Sequence, residues 1–290
     1  MVKGPMDGEE FSIRTRRLSY RYRNASRLAI ENIDLEIRRG ELVLVVGPSG
    51  AGKSTLIYCL SGIVPHYILG GEMSGDVFVH GINSRETELC ELTKRVVVVL
   101  QNPESQIFGM TVEEDVAFGL ENLCLPTDVI ARRLDETLRF LELDEFRESP
   151  PESLSGGQKQ RLALGSVLAL EPDVILFDEP LSNLDPHGSE LVISTLKKLK
   201  DSGKTVILVE RKTEDILQFL DRVIAIEGGK KVADCSPREL FKDRELVRRL
   251  RISVPQVIRL SYELAARGLV PDDMPISASE FIARWHEAHP

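Results

Sequence analysis

The sequence predicts an α/β chain: a parallel sheet covered by helices on both faces, built around one glycine-rich loop. Two observations predict it. The loop Gly47-Pro48-Ser49-Gly50-Ala51-Gly52-Lys53-Ser54-Thr55 lies between an apolar run, Glu41 to Val46, and a helix start at Leu56 to Ser61. Short apolar runs, Val174 to Phe177 and Thr205 to Val209 among them, alternate with stretches of helical spacing. Strands buried on both faces by crossover helices read this way. The 290 residues, 42% hydrophobic and 29% charged, suffice for one large domain or a domain with an appendage.

The elements follow in order. Phe11 to Ile37 alternates apolar and polar residues (Leu18, Tyr20, Tyr22, then Ile33, Leu35, Ile37), as paired strands do. Arg38 to Glu41 is a turn before the glycine loop. Gly70-Gly71 and Gly75 bracket a loop, and Asp76 to His80 and Arg95 to Leu100 read as strands. Gln101 to Phe118 reads as a loop. Thr127 to Leu143 carries Val129, Ile130, Leu134, Leu138 and Leu141 on one helical stripe, broken by Pro150-Pro151. Gln158 to Leu170 and Glu190 to Lys200 are helices, the second stopped by Gly203. Asp221 to Glu227 and Lys230 to Ala233 form a hairpin around Gly228-Gly229. From Pro237 the chain turns helical, rich in Arg and Glu, and punctuated by Pro255, Pro271 and Pro275.

Composition excludes several functions. A net charge of -9 argues against a non-specific grip on nucleic acid. None of the four cysteines, Cys59, Cys90, Cys124 and Cys235, forms a C-x-x-C pair, so zinc is not expected and a reducing compartment is. The start, Met1 to Phe11, has three acids and no apolar core, unlike a signal peptide. No apolar run approaches the roughly 18 residues of a membrane helix, so another chain would have to hold this one at a membrane.

Strand, glycine loop and helix are the setting in which G-x-x-x-x-G-K-[ST] binds phosphate. Backbone N–H groups of Gly47, Ser49, Gly50 and Gly52 would face the phosphates of a nucleoside triphosphate. Lys53 would reach the terminal phosphates, and Ser54 would be a Mg²⁺ ligand. Val174 to Phe177 delivers Asp178 and Glu179 to the carboxyl end of a strand, where α/β sheets bind ligands. Asp178 would hold Mg²⁺ through water, and Glu179 would orient or deprotonate the attacking water. Leu154-Ser155-Gly156-Gly157-Gln158 puts a hydroxyl and bare N–H groups at a helix N-terminus, a second anion site suited to serving a neighbouring chain.

Taken in order, Gly47–Thr55, Gln101, Leu154–Gln158, Val174–Glu179 and Ser182-Asn183-Leu184-Asp185 resemble the Walker A, Q-loop, signature, Walker B and D-loop motifs of ABC-transporter ATPase subunits. The resemblance spans about residues 11–240. It implies an ABC-type P-loop NTPase fold: a parallel core sheet, an antiparallel β subdomain, a helical subdomain near 102–170 and a small helical appendage at 241–290. It also implies that two subunits, identical or related, sandwich two ATP molecules, each between one chain's Walker A and the other's signature. Gln101 would join the Mg²⁺ and catalytic groups, and Asp185 and Thr55 the nucleotide contacts. Tyr22 matches the aromatic that stacks on adenine, with Tyr20 as the alternative.

A narrower resemblance is to the ATPases of energy-coupling-factor transporters, which import vitamins and transition metals. It rests on Ile63 to Tyr67 with Gly70-Gly71, on Gln101 to Phe108, on Thr111 to Gly119, and on Val254 to Leu269 as a dimer-holding segment. It implies a peripheral protein on the cytoplasmic face, touching an integral membrane partner through about 101–118, where Ile107, Phe108 and Met110 would be exposed. His66 is expected to be structural. One position departs from the family: Arg211 stands where a γ-phosphate histidine is usual, after Thr205 to Val209. Arginine stabilises phosphate charge but cannot exchange a proton, so this chain's own turnover is in doubt. The alternatives are a low-activity partner in a heterodimeric pair and a soluble ABC ATPase of DNA repair or translation.

Overall fold

A computed structural model describes residues 10–182, 184–211, 213–269 and 274–288. Asn183, Lys212, Pro271, His289 and the segment before Glu10 lie outside them. The chain runs β1 (Phe11–Arg21), β2 (Ile30–Arg38), β3 (Leu42–Val46), α1 (Lys53–Leu60), α2 (Ile63–His66), β4 (Glu72–Val79), β5 (Ile82–Asn83), α3 (Leu89–Leu92) and β6 (Val96–Val99). It continues through α4 (Val112–Asn122), α5 (Thr127–Phe140), α6 (Gly156–Leu168), β7 (Val174–Asp178), α7 (Pro186–Asp201), β8 (Thr205–Val209), β9 (Arg222–Glu227) and β10 (Lys230–Cys235). Helices α8 (Pro237–Lys242), α9 (Arg244–Arg249), α10 (Gln256–Ala266) and α11 (Ala278–Ala288) end it.

Two sheets form. The larger has the order β10-β9-β3-β8-β7-β6, parallel except for β10, which pairs antiparallel with β9. Strands β3, β7 and β8 are buried along their whole length. Successive side chains of a strand point to opposite faces, and the core divides accordingly. Leu42, Leu44, Ile175, Phe177, Val206 and Leu208 enter one cluster, with helices α4 to α6 and α8 to α10. Val43, Val45, Val174, Leu176, Ile207 and Val209 enter the other, with α1 and the second sheet. Each such buried side chain contributes about 1.5–3 kcal/mol.

The second sheet, β2-β1-β4-β5, is antiparallel. Several contacts tie it to the first. Ser12 and Thr205 share a hydroxyl hydrogen bond of 2.7 Å, and the Gly229 turn accepts from the Glu31 N–H at 2.8 Å while donating to Ala51 at 3.0 Å. The β9–β10 hairpin therefore braces the glycine loop against β2.

Several expectations need correcting. The loop expected between Gly71 and Gly75 is the first half of β4, and α1 starts at Lys53 rather than Leu56. Gln101 to Phe118 is not all loop, because α4 starts at Val112. Thr111 caps it and Glu114 reaches back, a reciprocal pair that satisfies two helix-end donors. Helix α6 starts at Gly156, because Ser155 and Gln158 form the same kind of box. Helix α7 starts at Pro186, capped by the Asp185 carboxylate, which accepts from Gly188 at 2.6 Å. Helices α8 to α10 join the first of these core clusters through Phe241, Leu246, Leu250 and Ile258.

Candidate nucleotide site

Adjacent strands β3, β8, β7 and β6 run parallel, so their carboxyl ends lie on one edge of the sheet. That edge carries the loop after β3, Glu210 and Arg211 after β8, Asp178 and Glu179 at the end of β7, and Gln101 after β6. Ligands of open α/β sheets bind at such an edge.

The glycine loop holds its shape because two positions admit no side chain. A Cβ on Gly47 would stand 2.0 Å from the Ile226 carbonyl oxygen. Gly52 has φ of +101° and would place a Cβ 2.3 Å from the Ala29 carbonyl oxygen. Lys53 opens α1 and is only 7% exposed. Its Nζ donates to the carbonyls of Gly47 at 2.9 Å and Pro48 at 3.0 Å. Burial, and then the charge of Arg211, lower its pKa. A buried ammonium held by neutral carbonyls is incompletely compensated, and an anion in the loop would complete it.

Asp178 is 2% exposed, and burial raises its pKa against the opposing effect of a hydrogen bond with Ser54. Its Oδ1 is buried with no hydrogen-bond partner. An orphaned carboxylate oxygen beside a serine hydroxyl is a donor set suited to Mg²⁺. No cluster of three or more His, Cys, Asp or Glu side chains able to hold a metal occurs among the described residues.

Glu179 has a left-handed backbone, φ 50°, unusual for a side-chain-bearing residue. Its N–H donates to the Val209 carbonyl at 2.8 Å, which pins it to β8. Its Oε2 accepts from Gln101 Nε2 and its Oε1 from Arg211 Nε, both at 3.0 Å. Glu210 was not singled out in the sequence. It is buried, and it accepts from the backbone N–H of Leu181 at 3.1 Å and of Arg211 at 2.7 Å. An acid directly after an apolar strand was the available signal, the same pattern that marks Asp178.

Of the two tyrosines, Tyr20 is in the core at 1% exposure. Tyr22 is partly buried, with its hydroxyl 3.0 Å from Thr55 Oγ1, beside the loop. Ser155 and Gln158 spend their side chains on the α6 cap, while positions 156 and 157 are open, with nothing within 4 Å of a Cβ built there. His66 hydrogen-bonds the Ser84 carbonyl at 2.6 Å, a structural contact.

The segment after Gln101 is held firmly. Gln106 bonds the backbone of Val98 and Leu100, and Lys159 of α6 pairs with Glu104 at 2.8 Å. Buried Asp115 accepts from the Phe108 and Gly109 N–H groups and from the Ser166 hydroxyl. Phe108 and Met110 are nonetheless 73% and 82% exposed, while Ile107 packs on the core. They border a groove of about 510 Å³, lined also by Phe118 and Ile130 and rimmed by Glu113, Glu114 and Glu121.

The ABC transporter family model matches residues 30–182. A putative ABC transporter ATP-binding protein of Pyrococcus abyssi is 43% identical over 89% of this chain and 92% of its own length. The energy-coupling factor transporter ATP-binding protein EcfA1 of Clostridium novyi is 38% identical over 90% of this chain and 92% of its own. Among solved structures, cbiO1 of Clostridium perfringens, part of the ABC transporter complex cbiONQ, superposes with a TM-score of 0.71 at 29% identity, covering 88% of this chain and 100% of that one. The ATP-binding cassette MJ0796, solved as a dimer in a post-hydrolysis state with ADP and Pi, gives a TM-score of 0.68 at 29% identity, over 78% of this chain and 99% of that one. No helix among the described residues is long and apolar enough to cross a membrane. The chain belongs to the ABC transporter ATP-binding family: it is the ATPase subunit of a transporter, coupling ATP hydrolysis to transport.

Proposed function

We propose that this subunit powers an importer of the energy-coupling-factor kind, carrying vitamins or transition-metal ions. The observation that carries this reading is the near full-length likeness to EcfA1, supported by the fold likeness to cbiO1. The chain would lie on the cytoplasmic face of the membrane, paired with a second ABC ATPase chain, identical or related. Residues 1–240 would be the ATPase unit and 241–290 a dimer contact.

The residues divide the work as follows. The N–H groups of the Gly47–Thr55 loop and Lys53 would hold the phosphates, and Tyr22 the adenine. Asp178 and Ser54 would hold Mg²⁺, with Gln101 beside them, and that ion neutralises charge on the terminal phosphates when bound. Glu179 would orient or deprotonate the attacking water. The open face of Gly156 and Gly157, with Ser155, Gln158 and Asp185, would serve the partner's nucleotide across the dimer. The apolar groove at Phe108, Met110 and Phe118 would receive a helix of the membrane partner, its acidic rim favouring a basic flank there.

Affinity purification of the tagged chain from detergent-solubilised membranes tests this. Recovery of an integral membrane protein and an ABC ATPase partner in one ATP-hydrolysing complex is expected. Recovery of the chain alone, from the soluble fraction only, contradicts it.

A further inference from the structure

Glu179 is the carboxylate placed to act on water, yet both of its oxygens are engaged by donors, Gln101 on one and Arg211 on the other. A carboxylate accepting on both oxygens is a weaker acceptor for a water proton. The two partners of the ion pair differ in freedom. Glu179 is 13% exposed and fixed by its backbone bond to β8, whereas the Arg211 side chain is 61% exposed on a long stem. If the pair separates, the guanidinium moves and the carboxylate stays.

There is a place for it to go. A cavity of about 350 Å³ is lined by Gly47, Pro48 and Ser49, by Glu210 and Arg211, and by Leu250, Arg251, Ile252 and Ser253. Arg211 is near enough to Lys53 for its charge to bear on that ammonium. Two cations thus share one field at the mouth of the loop. A terminal phosphoryl group bound there carries more negative charge than one carboxylate, and it accepts the same planar guanidinium fork.

We propose that Arg211 is a positioning residue with two alternative partners. Without a nucleoside triphosphate it ties off Glu179. When a terminal phosphoryl group settles on Lys53, the guanidinium transfers to it and Glu179 is released to engage water. A diphosphate lacks that group and leaves the pair closed. The inference rests on the ATP-site reading above and adds a lock to it: the base is withheld until the third phosphate is present.

The test uses the full chain with arginine ¹⁵N-labelled, and Arg211→Lys to assign the Arg211 Nε–H signal. Mg-ADP and a non-hydrolysable Mg-ATP analogue are the probes. The signal should be alike in the nucleotide-free and ADP-bound chains, altered by Glu179→Ala without nucleotide, and shifted by the analogue. In parallel, Arg211→Gln should leave ADP affinity within about twofold and weaken analogue affinity about tenfold or more, as loss of a charged hydrogen bond does. Arg211→Lys should recover part of that loss. An Arg211 signal unmoved by bound analogue, or equal affinity changes for both nucleotides, would overturn the proposal while leaving the ATP site in place. Failure of the wild-type chain to bind either nucleotide would overturn the ATP-site reading, and this proposal with it.

Discussion

Lys53 and Glu179 stand on the same sheet edge, and the proposed function gives them different steps. Lys53 Nζ donates to two neutral carbonyls, and a phosphate bound in the loop would add a direct anionic partner. Lys53→Ala should therefore weaken ATP binding by about 1.5–3 kcal/mol, tenfold or more. Glu179→Gln keeps the shape of the side chain and should leave binding nearly intact. Calorimetric titration with Mg-ATP separates the two, and equal losses would contradict the roles given. Gly52→Ala forces a Cβ onto a carbonyl oxygen at positive φ and should destabilise the fold by about 1–3 kcal/mol, read as a lower unfolding midpoint. At this scale the glycine loop was legible because its chemistry is local: nine consecutive residues carry it. The Arg211–Glu179 pair was not legible. Its members are 32 positions apart and meet because β7 and β8 are neighbours in register, Asp178 opposite Val209.

Among the elements, the exposed apolar groove owes its form to polar anchoring. Asp115 holds the Phe108 turn to α4 and α6, so Phe108 and Met110 stay exposed on a fixed backbone. Phe108→Asp should release the chain from its membrane complex while leaving nucleotide affinity unchanged. Co-purification from membranes reads the first and titration of the soluble chain the second, and retained assembly would count against this surface. The β9–β10 hairpin carries a pH-dependent link. Burial acts to raise the Asp234 pKa, but hydrogen bonds from Arg222 and Lys231 outweigh it and hold the carboxyl below its ordinary value. A depressed folded-state pKa gives stability that is present above the unfolded value, about 3.9, and lost as pH falls through the folded one. Asp234→Asn should lower stability near pH 6 by roughly 1 kcal/mol and flatten the acid side of a stability profile; an unchanged profile would contradict this link. The late-read starts of α4, α6 and α7 share one cause. Thr111–Glu114, Ser155–Gln158 and Asp185 are polar caps, and periodicity detects a helix only where its apolar stripe begins.

For the whole molecule, the two-sided core was readable from the unbroken apolar strands, since a parallel sheet must be covered on both faces. Strand order was not, because apolar runs say that strands are buried but not which are neighbours. The order β3-β8-β7-β6 is what gathers Lys53, Arg211, Glu179 and Gln101 on one edge. The same fold leaves Gly156 and Gly157 facing open space, which suits a second cassette. Hydrolysis of ATP at this edge is proposed to run through Glu179. Its most direct measurement is single-turnover release of phosphate from Mg-ATP by the complex purified from membranes, with wild-type or Glu179→Gln in this chain. Equal ATP occupancy is expected, with phosphate release from this chain's site slowed about 10²-fold or more in the variant; release at the wild-type rate with ATP bound would rule that role out.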